Sequence, residues 1–282
     1  MTRFPAVRFS TIPRALHQRD KGTGGPTGYG RTAVQRMPPH GTVLARRGSS
    51  GDDYTGSRQV PRGGEEDGML REPANALTHL AGVLLSLVAL VALVTIGIRS
   101  GDGLVAASLI IYGLSQLGSY TASTLYHALH LPPIASDRLL QVDCVLVFVF
   151  IAGSYTPVCL IALHGGWRWG LLGAVWAMAL GGLVMKLCWL HAPIWLTTAL
   201  YVGMGWVALA AIPPLMRALP GGGMGWFFSG GIVYTVGAVI FAFDRPWPRP
   251  GVFEAHAIWH LCVLGGSACC FWAIVRYVVP LA

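Results

Sequence analysis

The chain has 282 residues, 54% of them hydrophobic and only 11% charged, with a formal net charge of +8. Soluble domains carry about 25% charged residues, so this deficit, with a mean hydropathy of +0.56, excludes an ordinary water-soluble globule and points to lipid as the solvent. Residues 1–70 hold eleven Lys/Arg against six Asp/Glu, and residues 71–282 nine against six. The basic excess is therefore concentrated in the tail, and it suits anionic lipid headgroups. No aromatics interleave with a basic groove, so nucleic acid is not an expected partner. Nothing in the pattern fixes an oligomeric state.

Residues 1–70 are rich in Gly, Pro, Arg and Ser and lack a periodic apolar run. They cannot bury enough surface to offset their ordering entropy, so a disordered basic tail is expected there, followed by a membrane domain over 71–282. The tail also lacks the apolar core of a secretory signal, which leaves insertion to the first helix. Met69 is an alternative start, with the tail as an upstream extension. Six cysteines lie inside apolar stretches without C-x-x-C spacing and read as small core hydrophobes.

From Asn75 onward, long apolar runs alternate with short polar breaks. The expected spans are 76–98, 104–126, 142–163, 169–190, 194–216, 224–243 and 256–278. Each is about 20–24 residues long, enough at about 1.5 Å per residue to cross a core of about 30 Å. The fold class is thus all-α, an integral membrane bundle of seven transmembrane helices. The breaks carry turn residues, among them Gly101-Asp102-Gly103, Pro132-Pro133, Gly165-Gly166 and Pro246-Trp247-Pro248. Between 190 and 194 only His191-Ala192-Pro193 intervene, and a tight turn is expected because one 48-residue span would not fit a bilayer. Trp167, Trp169, Trp189, Trp195, Trp226, Trp247 and Trp259 fall near span ends, as interfacial anchors do. Lys/Arg are nearly balanced between the two sides, and Arg62 and Arg71 tip the N-terminus towards the cytoplasm. The expected location is the inner (plasma) membrane.

Seven spans impose a parity. The start of helix 1, the end of helix 2, and the starts of helices 3 and 7 share one side. On those ends sit Glu72, Asn75 and His79; Ser123 and His127; Asp143; and His256 and His260. His191 joins them at the end of helix 4, whereas His164 lies on the other side. His256 and His260, four apart, share a face and can ligate one metal. Gln116, Ser119/Tyr120, Ser123 and His127 form a polar stripe on helix 2 that should turn inward. Asp143 is expected at the start of helix 3 and needs a partner if buried. Three imidazoles with an open position make a known catalytic zinc arrangement, while Ca²⁺ or Mg²⁺ would need more oxygen ligands. Each residue also has a plainer reading. His256 and His260 fit polar end-caps, Ser123 fits a bond to its own helix's carbonyls, and Asp143 fits an N-cap of helix 3. His130 and His191 read as ordinary surface residues.

Four segments resemble, in order, the motifs of the hemolysin III proteins. They are Glu72-Pro-Ala-Asn75-Ala-Leu-Thr78-His79, Ser123-Thr-Leu-Tyr-His127, Asp143 followed by Ile151-Ala-Gly-Ser-Tyr-Thr-Pro157, and Gly251-Val-Phe-Glu-Ala-His256-Ala-Ile-Trp-His260. These proteins are bacterial members of the progestin and adipoQ receptor family, which includes the adiponectin receptors. The resemblance covers roughly residues 70–280. It implies a seven-helix fold with a cytoplasmic N-terminus and a Zn²⁺ near that face, held by residues matching His127, His256 and His260. Ser123 and Asp143 match the family's serine and aspartate, the latter beside the metal's water. The family often has a His where this chain has Cys144.

Three functions compete on these grounds. One is a zinc-dependent hydrolase of a lipid amide or ester, with Asp143 and Ser123 as catalytic groups and membrane lipid as both environment and substrate. A second is a cytolytic pore lined by the helix 2 stripe. The third is a membrane-homeostasis sensor in which zinc is structural.

Overall fold

The structure is a computed structural model, and it describes residues 69–243 and 254–282. The tail and the Pro246-Trp247-Pro248 break lie outside the described residues. Among the described residues, seven helices are long and apolar enough to cross a membrane: α1 Pro73–Ser100, α2 Gly103–Ala128, α3 Pro133–Ala162, α4 Gly165–Cys188, α5 Ile194–Ala218, α6 Gly221–Phe243 and α7 Ala255–Leu281. Among the described residues there is no strand, as expected where backbone groups without water must be satisfied within each segment.

Helix α1 has its polarity inside out. Leu84, Leu85, Val88 and Val91 face outward, whereas Asn75, His79, Gly82, Ser86 and Gly97 are buried. Those inward residues recur at steps of three, four and eleven, so small and polar side chains form one interior stripe. Gly82 allows a close approach to α2, since a Cβ there would stand 2.8 Å from the Tyr120 ring. α2 and α3 are the most buried helices. α1 packs on α2 and α7, α2 on α3, α3 on α4, and α6 on α7. The first and last helices thereby bring together the ends that carry His79 and His260.

Helix ends follow local chemistry. Asp102 caps α2 by accepting from Leu104 N–H at 2.7 Å. Gly101 closes α1 in the left-handed region at φ 72°. The tight turn expected before Ile194 is present. There the Lys186 amine, on a residue only 3% exposed, donates to Leu190 O at 3.2 Å and Thr197 Oγ1 at 3.0 Å.

Two helices depart from expectation. α3 begins at Pro133, not near 142, because the proline suits a first helical turn and Ser136 N–H bonds Pro132 O at 2.9 Å. The polar residues Ser136, Asp137 and Arg138 are therefore helical. Asp143 lies well inside α3 and is not its N-cap, a position held by Pro132. α5 changes to a 3₁₀ turn over Trp206–Ala211 before resuming at Ile212. Tyr155 of α3 mends this break: its hydroxyl donates to Gly205 O at 2.5 Å and Met204 O at 3.2 Å, and accepts from Ala208 N–H at 3.1 Å. Irregular backbone at membrane depth persists where the protein satisfies it.

Candidate metal centre

The segment before α1 is laid against the end of α2 by two backbone bonds, Glu72 N–H to His127 O at 2.9 Å and Arg71 N–H to Ala128 O at 3.3 Å. This brings the Glu72 carboxylate to His127 Nδ1 at 2.5 Å. Asn75 Nδ2 donates to the same carboxylate oxygen at 2.9 Å, and the Arg71 guanidinium pairs with the other at 3.0 Å. Arg71 is itself fixed by Ser136 and by the Tyr126 ring. The bond to His127 is the main cause that holds the Glu72 carboxyl down to about 2, against the opposing effect of its partial burial; the Asn75 hydrogen bond and the Arg71 charge add to it. Glu72 is thus an acceptor only, so His127 carries its proton on Nδ1. Its Nε2 is left with a free lone pair, buried and without a partner among the described residues.

His260 is arranged in the same way. Its Nδ1 stands 3.2 Å from Asn75 O and 3.2 Å from Thr78 Oγ1. The Thr78 hydroxyl donates to carbonyls of its own helix, so both neighbours accept and Nδ1 holds the proton. Histidines that bind metals commonly have the second nitrogen held in this manner. His256, one turn before His260, packs edge-on against His127 and His260 at ring-centre distances of 4.7 and 4.6 Å. One ligating atom from each of His127, His256 and His260 lies within 4.8 Å of the others. This buried three-histidine group could hold a metal ion. The donor set fits one: a buried unpartnered nitrogen, oriented neighbours and an all-imidazole composition suited to a borderline-soft cation.

A cavity of about 220 Å³ opens beside the cluster. Its polar end is formed by His79, Ser119, Ser123, Asp143, His256 and His260. Ser123 and Asp143 both line the cavity, whereas Ser108, Ser115, Thr121 and Thr124 of the same helix as Ser123 bond back to their own carbonyls. The cavity continues between apolar walls to Leu171, Leu215 and Met224. The last two lie about 5 Å, at 1.5 Å per residue, from the far ends of α5 and α6.

The structure brings together His127, His256, His260, Ser123 and Asp143, although they come from three helices. It sets apart His191, which faces exposed Asp137 at 3.5 Å, as well as His130 and His164, both exposed. Trp259 lines the cavity and is not simply an interfacial anchor. Sequence reasoning placed Glu72, Asn75 and Thr78 on the correct end but gave them no task. The signal was their spacing, since residues 72, 75, 78 and 79 share one helix face.

The family described as Haemolysin-III related matches residues 68–271. Hemolysin-3 of Bacillus cereus is 38% identical over 213 residues, covering 75% of this chain and 93% of that protein. The Hemolysin-3 homolog of Bacillus subtilis (strain 168) is 40% identical over 210 residues, covering 74% and 95%. More distantly similar, at 26% identity over 172 residues, 59% of this chain and 68% of the other, is the human Monocyte to macrophage differentiation factor. With its seven membrane-length helices, this chain belongs to the Haemolysin-III related family of multi-pass membrane proteins.

Proposed function

We propose that this protein is a zinc-dependent hydrolase of a lipid amide or ester, working at the end of the bundle that carries the histidine cluster. The observation that carries the reading is the buried, unpartnered His127 Nε2, gathered with His256 and His260 at the polar end of a long apolar cavity. His127, His256 and His260 would hold the Zn²⁺, the first and last through Nε2. When bound, zinc supplies a Lewis acid that polarises a carbonyl and acidifies water.

The chain's own groups do the rest. The Asp143 carboxylate takes the proton of the attacking water and passes it to the departing amine or alcohol. The Ser123 hydroxyl donates to that carboxylate and keeps it aimed into the cavity. The walls running towards Leu215 and Met224 take an acyl chain and keep bulk water from it. Those apolar walls favour a lipid pocket over an aqueous conduit. Asp143 and Ser123, polar and aimed into the cavity, have no evident use around a purely structural ion. In this reading the protein lies in the plasma membrane with its N-terminus cytoplasmic, which Arg71 and the basic tail support.

The test is metal analysis of protein purified in detergent without chelator. About one zinc per chain is expected of a three-histidine site with an open position, lost in His127→Ala and in His256→Ala/His260→Ala. Asp143→Asn should keep the zinc while lipid-amide and ester hydrolysis falls about 10²–10⁴-fold. Well-folded wild-type protein without zinc would sink the proposal.

A further inference from the structure

His79 is the one cavity-lining histidine outside the three-histidine group. It sits in α1, is 6% exposed, and lines the polar end of the cavity. Its ring stacks on that of His260 at 3.6 Å between centres and 15° between planes, and meets the Tyr120 ring edge-on at 5.2 Å. Two stacked rings direct their in-plane lone pairs side by side, so His79 does not converge on the point shared by the other three. Neither Nδ1 nor Nε2 has a hydrogen-bond partner among the described residues. The hydroxyl of the adjacent Tyr120 ring is engaged elsewhere, with Ser267 Oγ at 2.5 Å.

A buried polar group without a partner is costly to maintain. A neutral imidazole presents one donor and one acceptor, and the small ligand group able to meet either need, or both in turn, is a hydroxyl. His79 is one ring's thickness from a proposed metal ligand. A hydroxyl held there would belong to the polar part of a lipid whose carbonyl lies at the metal, with the acyl chain running down the apolar walls.

We propose that His79 determines specificity, binding a hydroxyl on the polar part of the lipid, so that the cavity prefers hydroxyl-bearing acyl lipids to otherwise identical chains lacking it. The inference rests on the lipid-cavity reading above. It adds which lipids the cavity selects and which residue selects them. His79 does this as an uncharged hydrogen-bonding group and takes no part in holding the metal.

Binding can be measured without turnover. Trp206 and Trp259 line the cavity, so a brominated acyl chain entering it quenches their fluorescence. The probes are two hydrolysis-proof long-chain ketones, brominated alike, one ending its polar part in a hydroxyl and the other in a methyl. Wild-type protein should bind the hydroxyl probe about three- to tenfold more tightly, the effect of one added hydrogen bond. His79→Phe, which keeps a ring on His260, should bind both probes equally and retain its zinc. His79→Gln, with its own donor and acceptor, should recover part of the preference. His79→Leu is the second variant, with the same expectation as His79→Phe, should the larger ring fail to fold.

Equal binding by wild-type protein overturns the proposal while leaving the lipid cavity standing. A preference that survives in His79→Phe or His79→Leu overturns it too, as does zinc loss in a folded His79 variant. If neither probe quenches wild-type fluorescence, the lipid-cavity reading itself fails and this inference falls with it.

Discussion

Replacing Glu72 tests whether the carboxylate behind His127 sets the affinity for metal. In Glu72→Gln an acceptor remains for His127 Nδ1–H, but the charge is gone. A charge-assisted bond is about twice as strong as a neutral one worth about 1 kcal/mol, so the loss is about 1 kcal/mol, or roughly fivefold in affinity. Glu72→Ala removes the acceptor and also frees Arg71 and Asn75. Loss of such outer groups costs about 10–100-fold. The Glu72 side chain is 39% exposed, so water screens part of the effect and the lower half of that range, about 10–30-fold, is expected. Competition with a chromophoric zinc chelator in detergent micelles measures the series, with His127→Ala as the reference for a lost ligand. Zinc affinity within twofold of wild type in a folded Glu72→Ala would refute the claim that this carboxylate orients the ligand.

Other consequences are open to measurement. Tyr155→Phe strands Ala208 N–H and the carbonyls at the α5 break; a loss of about 1–3 kcal/mol should lower Tm in a thermal-shift assay, and an unchanged Tm would contradict the described role. Gly82→Ala places a methyl 2.8 Å from Tyr120 and 3.0 Å from Leu264, which should cost about 1–3 kcal/mol in the same assay. Zinc at a hundred times its Kd should stabilise wild-type protein by about 2.7 kcal/mol, so a chelator should lower the Tm of wild type but not of His127→Ala. For metal-free protein, the Glu72 carboxyl is lowered from 4.5 to about 2. Its stabilising contribution is therefore present above 4.5 and fades as pH falls towards about 2; a Glu72→Gln minus wild-type Tm difference that stayed constant across that window would contradict it.

The seven helices were legible because hydropathy reports where lipid must be met. It reports less well where a helix begins. The first turns of α3 carry Ser136, Asp137 and Arg138, which look like a loop to a hydropathy scan, and this displaced Asp143 from the helix interior to its start. Pro213-Pro214 foreshadow irregularity in α5, since they free the carbonyls of Leu209 and Ala210, but nothing local reveals that Tyr155 meets the carbonyls of Met204 and Gly205. For the site, parity gathered residues that lie at one end of the bundle without ordering them. Parity cannot distinguish His79, stacked and unpartnered, from His260, held by Asn75 and Thr78. Those differences depend on contacts across more than 180 residues of chain, such as His260 to Asn75. The role of Glu72 depends on a backbone pairing between the ends of two helices, which no periodicity encodes.

The donors of the histidine cluster come from α2 and α7, and their supports from the first turns of α1 and the residue before it. A chain made from its N-terminus has therefore had all six preceding helices synthesised before His256 and His260 are made. Until the last helix docks against the first, His127 is the only member of the cluster in place, held by Glu72. No chain that ends before His260 has the full donor set, so the site is completed only by the last helix.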